Sequence, residues 1–226
     1  MFKMLKNDVV FLLKYKIFHI YIFVLLMYSF VLMILEGNAF DYAKIYIILS
    51  DPLILGFFFV GGIVLIEKSE GIIHYTFTTP ITPKIYLISK VVVLALTGSL
   101  IAMIICLIRT NTLYLGIIVS VFLGNVFFSL LGVFVVKRCQ TVNDYIGYGM
   151  FATLLLAVFF VFDLLFPQII FLRFNPISCV YHIVTNTYFQ NEGSLIDYFA
   201  GLVVWIVVIF TITYYDFKKY VYGVRL

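Results

Sequence analysis

Residues 67–90 read EKSEGIIHYTFTTPITPKIYLISK and separate two long apolar runs, 45–66 and 85–108. Each run is long enough to cross a bilayer, because about 20 apolar residues span the hydrocarbon core. The polar segment between them is therefore predicted to lie on one side of a membrane. A short helix is expected inside it, ending near Pro80 and Pro83, because proline lacks the amide hydrogen that continues a helix.

This short helix is predicted to have two faces. Ile73 and Phe77 are four residues apart and share one face, and Glu70 and His74 share another. A two-faced helix held parallel to a membrane can dock on a soluble partner protein. It can equally be a solvated connector, and the pattern alone leaves both alternatives open.

The composition is that of an integral membrane protein. The 226 residues are 64% hydrophobic and 12% charged, and the mean hydropathy is +1.15. Soluble domains are about 45–50% apolar and 25% charged. We expect one all-α transmembrane domain over 1–226, with an interfacial helix at 1–16 and no cleaved signal peptide. Six spans are predicted at 17–35, 45–66, 85–108, 113–136, 148–166 and 198–215.

Positive charge predicts the orientation, because loops rich in lysine and arginine stay in the cytoplasm. With the N-terminus inside, the inner side holds most of them: Lys3, Lys6, Lys14, Lys16, Lys68, Lys84, Lys90, Lys137, Arg138, Lys218, Lys219 and Arg225. The outer side holds Lys44, Arg109 and Arg173. Both termini and the 67–83 loop are therefore predicted to be cytoplasmic, in a multi-pass protein of the cell membrane. The basic balance is explained by lipid headgroups, and no nucleic-acid partner is expected.

The outer tract 167–197 is apolar, but Pro167 and Pro176 divide it into pieces too short to cross. Such pieces are expected to be re-entrant or interfacial. A passive hairpin facing lipid is the alternative.

Two acidic residues fall at membrane depth, where an acid costs about 2.5–3.5 kcal/mol and is a functional candidate by default. Asp51 precedes Pro52, so it is either a helix cap or part of a substrate or proton path. Asp163 is either a transport residue, or it reaches the outer headgroups or pairs with Arg173.

The sequence offers no catalytic constellation. His19, His74 and His182 are expected at the inner interface, in the cytoplasmic loop and in the outer tract, so they cannot act together. Neither GxSxG nor HExxH occurs, and no glycine is followed by lysine, which excludes a P-loop in this sequence.

The loop carries a family resemblance. Its motif residues follow the order of the first cytoplasmic loop of ABC-2 type permeases, the membrane subunits of ATP-driven exporters: Glu67, Glu70, Gly71, Thr79, Pro80 and Lys90. Residues 50–70, SDPLILGFFFVGGIVLIEKSE, resemble the fluoroquinolone-export permeases of that family. One departure is Ile72 and Ile73, where many members have Thr-Leu.

The resemblance implies a function and partners. It implies a type V exporter-like fold with six spans, a coupling helix and an outer re-entrant hairpin. The coupling residues it implies, docked on an ATPase subunit, are Glu67, Glu70, Gly71, Ile73, Phe77, Thr79 and Pro80. ATP and Mg²⁺ would be bound by that separate subunit, with no cofactor in this non-catalytic chain. A second identical or related permease would complete an exporter of amphipathic drugs, peptides or lipid-like molecules. The alternative is an ATP-independent membrane transporter or a scaffold for a membrane complex.

Overall fold

The computed structural model describes residues 2–51, 55–109, 112–190 and 195–222. These residues form helices and no strand, as predicted. In chain order the helices are α1 (Phe2–Lys14), α2 (Ile17–Ile34), α3 (Asn38–Asp51), α4 (Phe57–Ser69), α5 (Ile72–Phe77), α6 (Pro83–Leu107), α7 (Leu115–Val136), α8 (Val142–Leu165), a 3₁₀ helix (Ile170–Phe174), α9 (Pro176–Tyr188) and α10 (Leu195–Tyr222).

Five of the described helices, α2, α6, α7, α8 and α10, are long and apolar enough to cross a membrane. The predicted span 45–66 covers part of α3, with 14 residues, and most of α4, with 13. Residues 52–54 between these helices lie outside the described residues. Each helix is too short to cross alone, since a span needs about 20 residues. The number of crossings therefore depends on whether α3 and α4 act as one.

Residues 36–44, which the predicted spans leave as a connection, are largely helical, because α3 already begins at Asn38. Lys44 is fully buried, and its ammonium group donates to the carbonyls of Cys106 and Ile108 at 3.0 and 3.1 Å. Cations are stabilised at the C-terminal end of a helix, where carbonyl groups lack partners. Lys44, which the predicted spans place in a connection, is therefore part of α3 and is held by the end of α6.

Helices α6 and α7 form the centre of the bundle. In each, 61% of the most apolar 18-residue window is buried, against 11–17% in α2, α8 and α10. Helix α7 packs against α4, α6, α9 and α10. The three peripheral helices leave most of their apolar surface for lipid or another chain.

The start of α4 is fixed by two side chains from neighbouring helices. Leu55 and Gly56 form a single π-type turn before it. The Ser129 hydroxyl donates to the Gly56 carbonyl at 3.1 Å, and the Tyr145 hydroxyl donates to the Phe57 carbonyl at 2.6 Å. Irregular backbone is tolerated inside a bundle when neighbouring groups take up the carbonyls that it frees.

The tract after α8 is largely helical. Asn175 accepts a hydrogen bond from the Ile177 amide and so caps α9, which packs against α3, α7 and α10. Cys179 is buried in α9. Pro176 is the first residue of this helix, the position at which proline is well tolerated.

Two adjacent glycines in α4 allow a matched test of this packing. A Cβ on Gly61 would lie 2.0 Å from Cζ of Tyr145, whereas a Cβ on Gly62 would meet nothing within 4 Å. Gly61→Ala must push Tyr145 off the Phe57 carbonyl, and overpacking of this kind costs about 1–3 kcal/mol. Thermal unfolding in detergent should therefore show a lower midpoint for Gly61→Ala. Gly62→Ala should match or exceed the parent, because alanine favours helix. Equal midpoints for the two variants would contradict this packing.

Candidate functional site

A buried cluster of three charges joins α1, α4 and α6. The Lys90 ammonium lies 2.9 Å from Oδ1 of Asp8 and 2.6 Å from Oε1 of Glu67. The Ser89 hydroxyl donates to Oδ2 of Asp8, and the Tyr86 hydroxyl donates to Oε2 of Glu67 at 2.6 Å. All four carboxylate oxygens therefore have a hydrogen-bond donor, although the three charges sum to −1.

The cluster is a strong structural constraint because its three charged side chains are buried. Lys90 is 2% exposed, and its ammonium also lies 4.9 Å from the centre of the Tyr86 ring. Tyr86 and Lys90 are four residues apart on α6 and so share a face. Removing one partner from such a buried group leaves an uncompensated charge. The N-terminal helix, α4 and α6 must therefore stay together.

Glu67, one of the predicted coupling residues, lies inside this cluster, and its contact with an ATPase stays a prediction. Glu67 is 5% exposed and belongs to the cluster. In the sequence, Glu67 is followed three residues later by Glu70, and acidic residues this close together are typical of a polar loop. The lysine that draws Glu67 inward lies 23 residues further along the chain.

Ile73 and Phe77 were predicted to be the docking face of α5, and the structure places them against the chain's own core. Ile73 is buried. The Phe77 ring lies 5.6 Å from the Tyr86 ring and 6.0 Å from the Phe217 ring. A six-residue helix is not stable alone and needs such packing. Its apolar face therefore serves the fold, and a partner would meet the opposite face.

The residues left on that opposite face define what we call the loop surface: Glu70, Tyr75, Thr79 and Pro80, all exposed. Tyr75 dominates it, being 76% exposed. Gly71 precedes the helix with φ of 71°, a left-handed conformation that glycine adopts at little cost.

Glu70 is held from the N-terminal side. The Tyr15 hydroxyl donates to its two carboxylate oxygens at 2.6 and 2.8 Å. This hydrogen bond, more than the accompanying desolvation and repulsion by Glu70, raises the pKa of Tyr15 above its ordinary 10.0. The donor proton is thus retained at neutral pH and is lost only as the pH rises past that raised value.

Asp163 takes part in a second buried pair, on α8 and α9. It is 2% exposed, and its Oδ2 lies 2.9 Å from Nε2 of His182. The alternative in which Asp163 pairs with Arg173 is wrong, because the partner of Asp163 is His182 and Arg173 donates to the Pro167 carbonyl. No local pattern in the sequence marks His182 as this partner, because the contact forms only when the chain returns after α8.

One oxygen of Asp163 remains unused. Oδ1 is buried without a hydrogen-bond partner in the part of the chain that the structure describes. The His182 ring stacks on Tyr198 at 4.9 Å, which fixes its orientation.

For Asp51 the two alternatives stay open. Asp51 is the last residue of α3. Its side chain and residues 52–54 lie outside the described residues, so both the cap and the path remain predictions.

Two curated proteins are similar to this chain, the fluoroquinolones export permease proteins of Mycobacterium tuberculosis strains CDC 1551 / Oshkosh and ATCC 25618 / H37Rv. Each is 31% identical over 121 residues, which cover 53% of this chain and 51% of the relative. The resemblance to fluoroquinolone-export permeases is confirmed. The match spans about half the length of these relatives. No family model matches the chain, and no solved structure matches it.

The charge cluster is tested by Lys90→Met, which keeps most of the unbranched side chain but removes the ammonium. We expect a loss of about 3–5 kcal/mol, because two carboxylates are left buried together. Lys84→Met, at an exposed position on the same helix, should be close to neutral. Glu67→Gln added to Lys90→Met should recover part of the loss. Thermal stability by size-exclusion chromatography measures all three, and equal stability of the two lysine variants would contradict the cluster's role.

Proposed function

We propose that this chain is the membrane-spanning subunit of an ATP-driven exporter of the ABC-2 type. The observation that carries the proposal is the charge cluster, which links the 67–83 connection to three helices of the bundle. The similarity to export permeases supports the same conclusion. A movement of residues 67–83 would be transmitted to the bundle, as coupling to an ATPase requires.

The contacts of α5 show how such a movement would reach the bundle. Phe77 on α5 touches Tyr86, and Tyr86 is bonded to Glu67 within the cluster. Phe77 also touches Phe217, whose ring stacks on Tyr86 at 5.1 Å. Displacement of α5 therefore acts on α4, α6 and α10 together. The cluster passes it on to α1.

ATP and Mg²⁺ belong to a separate ATPase subunit in this proposal, because this sequence has no P-loop. The chain itself is then a non-catalytic subunit. It lies in the cell membrane with both termini and the loop surface in the cytoplasm, as its positive charges indicate. Binding at the loop surface would bring the ATPase against Tyr75, an amphipathic residue type that is enriched in interfaces.

A second permease chain, identical or related, completes the transporter. The low burial of α2, α8 and α10 supports this, since their apolar faces are available to another membrane helix. The six crossings would arise if α3 and α4 cross as one unit, with 167–197 as the outer re-entrant tract. ATP binding would shift a dimer between two states that bind ATP differently. An amphipathic drug, peptide or lipid-like molecule would then be released outward.

A second candidate function is transport coupled to protons without an ATPase. The observation that favours it is the Asp163–His182 pair, since buried ionisable residues in membrane helices often mark proton relays. A scaffold role has no comparable observation in its favour.

The loop surface is tested with Tyr75→Asp. The residue is exposed, so the chain should still fold and insert. Recovery of ATPase activity with the affinity-tagged chain should fall at least about tenfold, or 1.4 kcal/mol. Gln140→Asp provides the control, as an exposed residue on the α7–α8 connection that the proposal places on the same side. A co-purifying ATPase whose recovery is unaffected by Tyr75→Asp would remove the loop surface from the proposal. The absence of any ATPase from the parent preparation would refute it altogether.

The two candidate functions differ in their energy source. In inside-out membrane vesicles, we expect fluoroquinolone uptake to require ATP and not to follow an imposed proton gradient alone. Asp163→Asn should leave this ATP requirement in place, because the side chain keeps its shape and only the charge is lost. Uptake that persists without ATP and disappears in Asp163→Asn would favour the proton-coupled transporter.

A further inference from the structure

An apolar cavity of about 210 Å³ lies between α3, α7, α8 and α9. Its walls carry aromatic and aliphatic side chains, among them Phe128, Ala157, Phe160 and Val180, and two hydroxyl groups from α3, those of Tyr46 and Ser50. No charged residue lines it in the part of the chain that the structure describes. It is formed within one copy of the chain. The charge cluster contributes nothing to it.

The two aromatic walls are held in place by a third ring. Tyr181 on α9 lies 6.2 Å from the Tyr46 ring and 5.3 Å from the Phe160 ring, between ring centres. Tyr46 belongs to α3 and Phe160 to α8, so the rings come from different sides of the cavity. Offset and edge-on arrangements of this kind are the favourable ones for aromatic rings. The walls are thus arranged before any ligand binds.

The Ser50 hydroxyl needs no hydrogen bond from a ligand. Ser50 donates to the Ile47 carbonyl at 2.8 Å, and its oxygen lies 3.1 Å from the Tyr28 hydroxyl. Because Ser50 uses its only proton on Ile47, Tyr28 is the donor of the second bond. A ligand without polar groups at this depth therefore leaves no hydrogen bond broken.

Size and access favour an aromatic occupant. An apolar cavity of about 150 Å³ in another protein binds benzene, so the larger volume here suits a fused pair of rings. Helices α3 and α8 both pack against α7 and α9, and the cavity lies between them. Tyr46, in its wall, is 47% exposed. The cavity therefore reaches the apolar surface of the bundle, where compounds dissolved in the membrane can enter.

We propose that this cavity binds the uncharged fused-ring part of aromatic compounds, with one such site in each copy of the chain. That the bound compound is cargo rests on the proposed export function. The binding itself does not.

The probe for the test is 6-fluoroquinoline, a fused two-ring aromatic that is uncharged at neutral pH and has a fluorine NMR signal. The purified full-length chain in lipid nanodiscs should bind it saturably above the background of empty nanodiscs. Ala157→Phe fills the cavity without removing a contact and should weaken binding at least about tenfold. Leu154→Phe adds the same ring on an exposed position of α8, and its affinity should stay within about twofold of the parent.

Thermal unfolding and ATP-dependent export are measured alongside binding. Thermal unfolding of Ala157→Phe should show an unchanged or higher midpoint, because the added ring fills empty apolar space. If that variant does not fold, Ala157→Leu takes its place. No saturable binding to the parent, or equal affinity in the parent and the filled variant, overturns the site. Saturable binding with no ATP-dependent export would refute the export proposal and leave the site standing, whereas export without binding would do the reverse.

Discussion

The bonds of one ammonium group to two carboxylates determine how this protein is assembled. Lys90 needs both Asp8 and Glu67, and they need it, because none of the three charges can be buried alone at acceptable cost. Their bonds convert an N-terminal helix and two segments of the bundle into one rigid unit. The short α5 then packs on the same unit through Tyr86. A segment that reads as a polar loop in the sequence is thus firmly attached to the membrane domain.

The centre of the bundle follows a different rule. Helices α4 and α7 approach closely at Gly132, where an added Cβ would lie 2.5 Å from a Val60 methyl group and 2.7 Å from the Phe57 carbonyl. Close approach of backbones is a main source of stability between helices in lipid, where the hydrophobic effect does not drive association. The hydroxyls of Ser129 and Tyr145 then complete the hydrogen bonding of the backbone before α4. Packing and polar contacts thus act at the same place.

Local patterns in the sequence predicted the features that depend on local properties. Hydropathy predicted an all-helical membrane protein, and the residues of the 67–90 segment predicted the resemblance to export permeases. The side to which a residue turns was harder to predict. Glu67 and Lys44 are buried because each bonds to a partner from a distant part of the chain. The Asp163–His182 pair has the same cause, as it joins two helices that meet only in the fold.

The distance along the chain between Asp8 and Lys90, 82 residues, has a consequence for biosynthesis. Helix α1 leaves the ribosome long before α6 does, so until then the Asp8 carboxylate is in contact with water or lipid headgroups. Once Lys90 is in place, burial of all three charges becomes possible in one cooperative step. Asp8 therefore gains its ammonium partner only after α6 has been synthesised, and a nascent chain that ends before α6 lacks this contact.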